Sequence, residues 1–177
     1  MPLLDPLRHF GFLLKDTARL LARDFERRAI AEELGLTLEQ CRVLVYLERN
    51  QGISQTRLAY LTETDPMTLV RTLDRIESNG WVERRRDPSD RRVWRLHLLP
   101  EAQPILQRIW LIADEAREDA FAGFDASQVS QLLQLLNGVQ ANLTALVPNA
   151  SGEGRSAETD AIAPEVVPAK TTSRKSK

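Results

Sequence analysis

The sequence predicts a mainly α-helical fold with one small β-hairpin. Three observations carry this. Apolar residues recur at helical spacing in six segments, a pattern of one inward face per helix. One of those segments starts at Asp65-Pro66 and stops at Asn79-Gly80. Directly after it, two alternating stretches flank the turn Asp87-Pro88-Ser89-Asp90, with Arg84, Arg85 and Arg86 before the turn and Arg91 and Arg92 after it.

The first helix is predicted from Leu3 to Glu33, with a seam at Leu7, Gly11, Leu14, Ala18, Leu21 and Phe25. Gly35 is expected to stop it as a left-handed glycine just past the helix end. Thr37 with Gln40 three residues on is a capping-box start for the second helix. That helix carries Leu38, Cys41, Leu44, Val45 and Leu47, and stops near Asn50-Gln51-Gly52. Ile53 reads as a single extended residue, enough for an edge contact with the hairpin. Ser54 then caps a short third helix with Leu58, Ala59 and Leu61 inward. Asp65 as cap and Pro66 at the first helical position start the fourth. Its apolar face is Leu69, Val70, Leu73 and Ile76.

Trp81 to Arg86 and Arg92 to Leu98 read as two strands, with Trp94, Leu96 and Leu98 alternating toward one face. Pro100 is predicted to open a long fifth helix with seams at Ile105, Ile109, Ile112 and Ala116 and at Leu106, Trp110 and Ala113. Asp125 with Gln128 caps a sixth, whose seam is Val129, Leu132, Leu136, Val139, Leu143 and Leu146. From Pro148 onward there are no aromatics, and the composition predicts a disordered tail.

The chain therefore divides into an N-terminal dimerisation helix (residues 1–35), a winged helix-turn-helix DNA-binding lobe (36–99), C-terminal dimerisation helices (100–147) and a disordered tail (148–177). The central block can close on its own. The first, fifth and sixth helices are too apolar for a satellite position, which points to an intertwined homodimer, with a monomeric helical bundle as the alternative.

Composition narrows the function. The 177 residues suffice for one domain with a core. The longest apolar runs are too short to span a bilayer, and the N-terminus lacks the basic region and apolar stretch of a signal peptide. A cytoplasmic, nucleoid-associated protein with no membrane partner is expected. One cysteine excludes an internal disulfide framework, and the two histidines stand at no metal-ligand spacing. No glycine-rich phosphate loop and no nucleophile–base pattern is present, so neither an enzyme nor a cofactor is expected.

The net charge of −1 hides an asymmetry. From Arg84 to Arg95 there are six arginines against two aspartates. Between Asp114 and Asp125, by contrast, Asp114, Glu115, Glu118, Asp119 and Asp125 face only Arg117. Lys15 is the only lysine before residue 170, so the folded part uses arginine as its cation. Arginine forks suit phosphate and guanine edges, although a GC-rich genome would produce the same bias.

Base-reading side chains sit near the start of a recognition helix. Here these are Met67, Thr68 and Arg71, with Arg71 able to fork onto guanine. Arg91 is best placed at the hairpin tip to enter a minor groove. Asp90 is expected to pair with Arg92, because an unpaired carboxylate facing phosphate is costly. Ser54, Gln55 and Thr56 at the third helix, with Arg75, Arg84 and Arg86, are candidates for the DNA backbone. Arg84, Arg85 and Arg86 alternate faces, so they cannot all contact DNA.

The stretch Leu69 to Leu106, LVRTLDRIESNGWVERRRDPSDRRVWRLHLLPEAQPIL, resembles the signature of the MarR family (multiple antibiotic resistance regulators). It is closest to the SlyA-like branch, with its "LVRTLD…L…G…SDRR…LT…A" pattern. LTLEQCRVLVYL resembles the family's second helix, and the likeness spans about residues 5–147. Its most specific part is Asp90-Arg91-Arg92. The resemblance implies a winged-helix homodimer on pseudo-palindromic double-stranded DNA. Met67, Thr68 and Arg71 would lie in the major groove and Arg91 in the minor groove, with Asp90 pairing with Arg92. The sequence departs from the pattern at Leu98-Leu99-Pro100, where the family has Leu-Thr, and at Cys41, where the branch often has an aromatic.

The resemblance also implies relief of DNA binding by a small aromatic or lipophilic effector, often a phenolic anion, lodged between the dimer layer and the DNA lobe. Arg19, Cys41, Val45 and Thr72 are the candidate pocket residues. Two alternatives stay open. Cys41 is either a core residue or a thiol sensor, and the chain is either a DNA-binding regulator or a winged-helix protein adaptor. The basic end of the tail, Lys170, Arg174, Lys175 and Lys177, is either a solvated tail or an added nonspecific contact with DNA.

Overall fold

In a computed structural model, which describes residues 6–146, those residues form six α-helices and a three-stranded antiparallel sheet, with a hairpin between the fourth and fifth helices and a short edge strand between the second and third. The 148–177 tail lies outside the described residues. A 3₁₀ turn at Pro6–His9 leads into α1, Phe10–Ala31.

The end of α1 differs from the glycine stop expected at Gly35. Leu34 N–H donates to the Ala29 carbonyl at 2.9 Å and Glu33 N–H to the Ile30 carbonyl at 3.1 Å. This is a Schellman closure with Glu33, at φ +48°, in the left-handed position. Leu34 is 5% exposed. Its burial places the reversal two residues before Gly35 and offsets the strain of a left-handed glutamate.

The reciprocal Thr37–Gln40 capping box starts α2, Leu38–Arg49. Cys41, Val43, Leu44 and Leu47 are its buried apolar residues, while Leu38 and Val45 are half-buried. β1 is Ile53–Ser54, and Ser54 Oγ accepts from Arg57 N–H at 3.1 Å to cap α3, Gln55–Thr62. The next helix is α4, Pro66–Ser78. β2, Val82–Arg86, pairs with β3, Trp94–Leu98, in the register Val82↔Leu98, Arg84↔Leu96 and Arg86↔Trp94. β1 pairs with the other edge of β3, so the sheet order is β1-β3-β2.

Leu44, Leu47, Leu58, Leu69, Leu73, Ile76 and Leu96 are fully buried and form the core of this lobe. Burying each stabilises the fold by roughly 1.5–3 kcal/mol.

Pro100 opens a 3₁₀ turn, Pro100–Ala102, and not the α-helix expected there. Pro104 has no N–H to donate back to the Pro100 carbonyl, so a continuous α-helix would leave that bond unmade. α5 instead runs Gln103–Ala120 and holds Pro104 in its first turn, where no donor is required. Its seam of Ile105, Ile109, Ile112 and Ala116 is buried, with Leu106. Trp110 Nε1 donates to Glu48 of α2 at 2.7 Å, which joins α5 to the lobe. Arg28 of α1, with its side chain 16% exposed, donates to Asp24 at 2.6 Å and to Glu115 of α5 at 3.3 Å, and also pairs with Asp119. The acidic run at the end of α5 thus has a partner that composition did not reveal.

α6, Ala126–Leu146, starts with a reciprocal bond pair between Asp125 and Gln128, each 2.9 Å. None of its residues is buried. Leu132 is 41% exposed and Leu143 55%, and Leu14 and Leu21 of α1 are each 39% exposed. Leucines of both seams thus stand exposed in a single chain.

Candidate nucleic-acid interface

The interface is built around the start of α4. Asp65 Oδ1 accepts from the N–H of Met67 at 2.9 Å and of Thr68 at 3.1 Å, which satisfies two of the helix's unpaired donors. Leu69, Leu73 and Ile76 lie on the buried face. Met67, Thr68, Arg71 and Arg75 fall on the opposite, exposed face, at helical spacing. Met67 is 64% exposed. This face therefore presents a thioether, a hydroxyl and two guanidiniums.

The hairpin loop between β2 and β3 is organised by Asp87, which is 6% exposed. Its carboxylate accepts from Ser89 N–H at 2.7 Å, Ser89 Oγ, Asp90 N–H at 3.1 Å and Arg95 Nε at 2.6 Å. Arg95 also reaches the Gly52 carbonyl at 3.5 Å, which links the loop to β1. The bonds from Ser89 and Arg95, together with the two backbone N–H groups, hold the Asp87 carboxyl well below the usual carboxylate range.

The sign of the linkage follows. A carboxyl whose folded value is lowered contributes stability that is complete above its unfolded value, about 3.9, and that is lost as pH falls below it. The loop amides of Ser89 and Asp90 should therefore lose hydrogen-exchange protection as pH drops through this range. Asp87→Asn should show the same loss at neutral pH. Unchanged protection in the variant would show that the carboxylate does not order the loop.

The expected Asp90–Arg92 ion pair does not form. Asp90 Oδ1 instead accepts the backbone N–H of Arg92 at 2.9 Å. A short carboxylate two residues upstream reaches that amide with less loss of side-chain freedom than a guanidinium would require. The ion pair of this loop is Asp87–Arg95, at 2.6 Å. The sequence signal for it was Asp-Pro-Ser, an aspartate opening a turn, but its partner eight residues on becomes a neighbour only across the hairpin. Arg92 is left exposed beside Arg91.

Two backbone-contact candidates are corrected. Ser54 is 2% exposed, with its hydroxyl occupied as the α3 cap. Arg84 has its side chain 19% exposed and is held by Asp74 at 2.6 Å, Glu77 at 2.9 Å and the Val70 carbonyl at 3.4 Å. It faces inward because it is paired with Leu96, the buried residue of β3. There it clamps β2 to α4 and is unavailable to phosphate.

Arg85 pairs with Glu83. Arg86 is exposed, with its guanidinium 3.9 Å over the Trp94 ring and a bond to the Arg91 carbonyl, so it braces the loop from outside. Thr56 is exposed and Gln55 half-buried at the start of α3. Among the described residues, Arg71, Arg75, Arg91 and Arg92 have no carboxylate within 4 Å.

Of the four pocket candidates, Cys41 and Val45 stand one turn apart on α2, Thr72 is on α4 and Arg19 on α1. Arg19 lies on the outer surface of α1, paired with Asp16 at 3.1 Å. Cys41 is 3% exposed in the core, and burial pushes its thiol up to about 12, where thiolate chemistry is suppressed. Val45 and Thr72 are half-buried on α2 and α4. A cavity of 770 Å³ lies elsewhere, at the turn between α3 and α4, and none of the four lines it. No group of three or more metal-ligating side chains occurs among the described residues, and no described helix is long and apolar enough to cross a membrane.

The family model of the MarR family matches residues 36–94, the helix-turn-helix and most of the hairpin. The chain is similar to the solved structure of the transcriptional regulator PA3341, at 33% identity over 77% of this chain and 98% of that one, with a TM-score of 0.65. It is similar to a MarR transcriptional regulator from Methanosarcina mazei Go1, at 25% identity over 79% and 99%, with a TM-score of 0.70. BpsR of Bordetella bronchiseptica, whose DNA binding is regulated by 6-hydroxynicotinic acid, shares the fold at 20% identity over 75% and 98%, with a TM-score of 0.61. With a helix-turn-helix, an arginine-bearing wing, and a relative one-third identical over nearly its whole length, the chain belongs to the MarR family of transcriptional regulators.

Proposed function

We propose that this protein is a sequence-specific regulator of the SlyA-like branch that binds double-stranded DNA as a homodimer on pseudo-palindromic operators. Met67, Thr68 and Arg71 read the major groove and Arg91 enters the minor groove. Gln55, Thr56, Arg75 and Arg86 hold the backbone, joined by Arg92. The observation that carries the reading is the set of exposed guanidiniums on two adjoining elements, α4 and the wing, with no carboxylate within 4 Å among the described residues. Arg28 of α1, by contrast, is spent on three acids. Unspent cations beside a capped helix start are what a polyanion requires.

The homodimer is supported by the uncovered seam of α6 and the exposed leucines of α1. Two copies would present two α4 helices to successive major grooves. The SlyA-like placement is supported by Ser89-Asp90-Arg91-Arg92 following α4. Relief by a small aromatic or lipophilic ligand is part of the proposal, by analogy with BpsR. The protein acts in the cytoplasm, on DNA, without catalytic chemistry of its own.

Duplex binding measured across salt concentrations tests this. The logarithm of the binding constant should fall linearly with the logarithm of salt, with a slope of roughly −0.9 per phosphate neutralised. Absence of duplex binding at low salt would favour a protein-adaptor role.

A further inference from the structure

We propose that the cavity at the turn between α3 and α4 is a binding site for a lipophilic organic cation. Its volume, 770 Å³, is that of a small-molecule site. Tyr46 of α2 and Tyr60 of α3 contribute aromatic surface, Leu69 of α4 contributes apolar surface, and Gln140 of α6 also lines it. The charged residues among those lining it are Glu63 and Asp65, both acidic. Neither has an arginine, lysine or histidine nitrogen within 4 Å among the described residues. Both are exposed, as are Asp74 and Asp119, which do pair with arginine.

The chemistry selects the sign of the ligand. An anion would face two carboxylates. It would also find the positive end of α4 already occupied, because Asp65 takes the Met67 and Thr68 amides. A cation meets two phenol rings whose faces are negative and two carboxylates without counter-ions. The fold already uses one of these rings in this way. The Arg57 guanidinium lies 5.1 Å from the centre of the Tyr60 ring, which is 47% exposed and so keeps surface for a second contact. The site is distinct from Arg19, Cys41, Val45 and Thr72, none of which lines it.

Position connects the site to the reading helix. Asp65 caps α4, Pro66 is its first residue, and both line the cavity. Gln55 and Thr56, the proposed backbone contacts, also line the cavity, so a bound cation occupies the surface they would present to phosphate. This coupling rests on the DNA-binding reading above, whereas the binding itself does not.

Calorimetric titration of the full chain with tetraphenylphosphonium tests the site, with tetraphenylborate as an anion of the same shape. The phosphonium should bind one per chain, about tenfold or more tighter than the borate. Tyr60→Ala and Glu63→Gln should each weaken it by about fivefold or more, with unchanged thermal unfolding. Equal affinity for the two ions, no binding, or binding indifferent to both substitutions would overturn the proposal. Saturating phosphonium should also lower duplex affinity in the natural sequence, Glu63→Gln should need about fivefold or more phosphonium for the same effect, and duplex binding should weaken the phosphonium by the same factor. Cation binding without any such change would overturn the coupling. Absence of duplex binding in the free protein would count against the regulator reading alone, because the titration needs no DNA.

Discussion

Leu132→Glu combined with Leu143→Glu should convert the protein to a monomer and lower its affinity for a two-half-site operator by roughly a hundredfold to ten-thousandfold, the usual gain from linking two binding events. Both leucines lie on the α6 seam, 41% and 55% exposed in a single chain. A carboxylate at either position therefore touches no core residue of its own lobe, but in a dimer it would be buried without a partner. Analytical ultracentrifugation reads the dissociation, and circular dichroism should show helix content retained. Persistence of the dimer would mean that α6 is not its interface. A monomer with undiminished operator affinity would mean that the two heads act independently.

The second expectation distinguishes two arginines that composition treats alike. Arg71→Ala should flatten sequence preference at one base pair by about 1–3 kcal/mol, roughly fivefold to a hundredfold, while leaving nonspecific binding nearly intact. Arg91→Ala should weaken binding across sequences, with a smaller change in preference and a shallower salt slope. Arg71 projects from a rigid helix whose start is locked by Asp65, so its fork arrives with a defined direction. Arg91 sits on a loop tied at its base by Asp87, and what it meets is groove width and charge. Binding to a randomised operator pool, followed by sequencing, reads both effects. If the two variants retain the natural preference and affinity, the reading surface lies elsewhere.

The order of elements was legible because each carries its own local signal. Thr37 with Gln40, Ser54, Asp65-Pro66 and Asp125 with Gln128 all start helices, since a cap needs only residues within one turn. The apolar seams of α4 and α5 were legible for the same reason, and the exposed face of α4 follows from them by elimination. Where local signals failed, a distant contact had overridden them. The helix ends on a left-handed Glu33 ahead of Gly35, itself at φ +73°, because Leu34 is drawn into the core. Pro100 reads as a helix start until Pro104, four residues on, is taken into account.

The wing divides along the same line. Its position, its turn and its arginine content belong to the sequence. The fate of each arginine does not, because six guanidiniums of one residue type differ only in what lies opposite them. Arg84 finds Asp74 and Glu77 across α4, Arg95 finds Asp87 across the hairpin, and Arg86 finds the Trp94 ring. Arg91 and Arg92 find no acid among the described residues, and with Arg86, which is stacked but also without an acid, they are the wing's candidates for DNA.

Local rules of capping, periodicity and turn chemistry thus set which helices form, where the hairpin turns and which helix face stays polar, because these act over a few residues and are written in the chain itself. Which charges are neutralised, that Cys41 is buried beyond reach of solvent, and that two acids and two tyrosines share one cavity came only with the tertiary structure. Those properties depend on residues brought together across the fold, and no spacing along the chain encodes them.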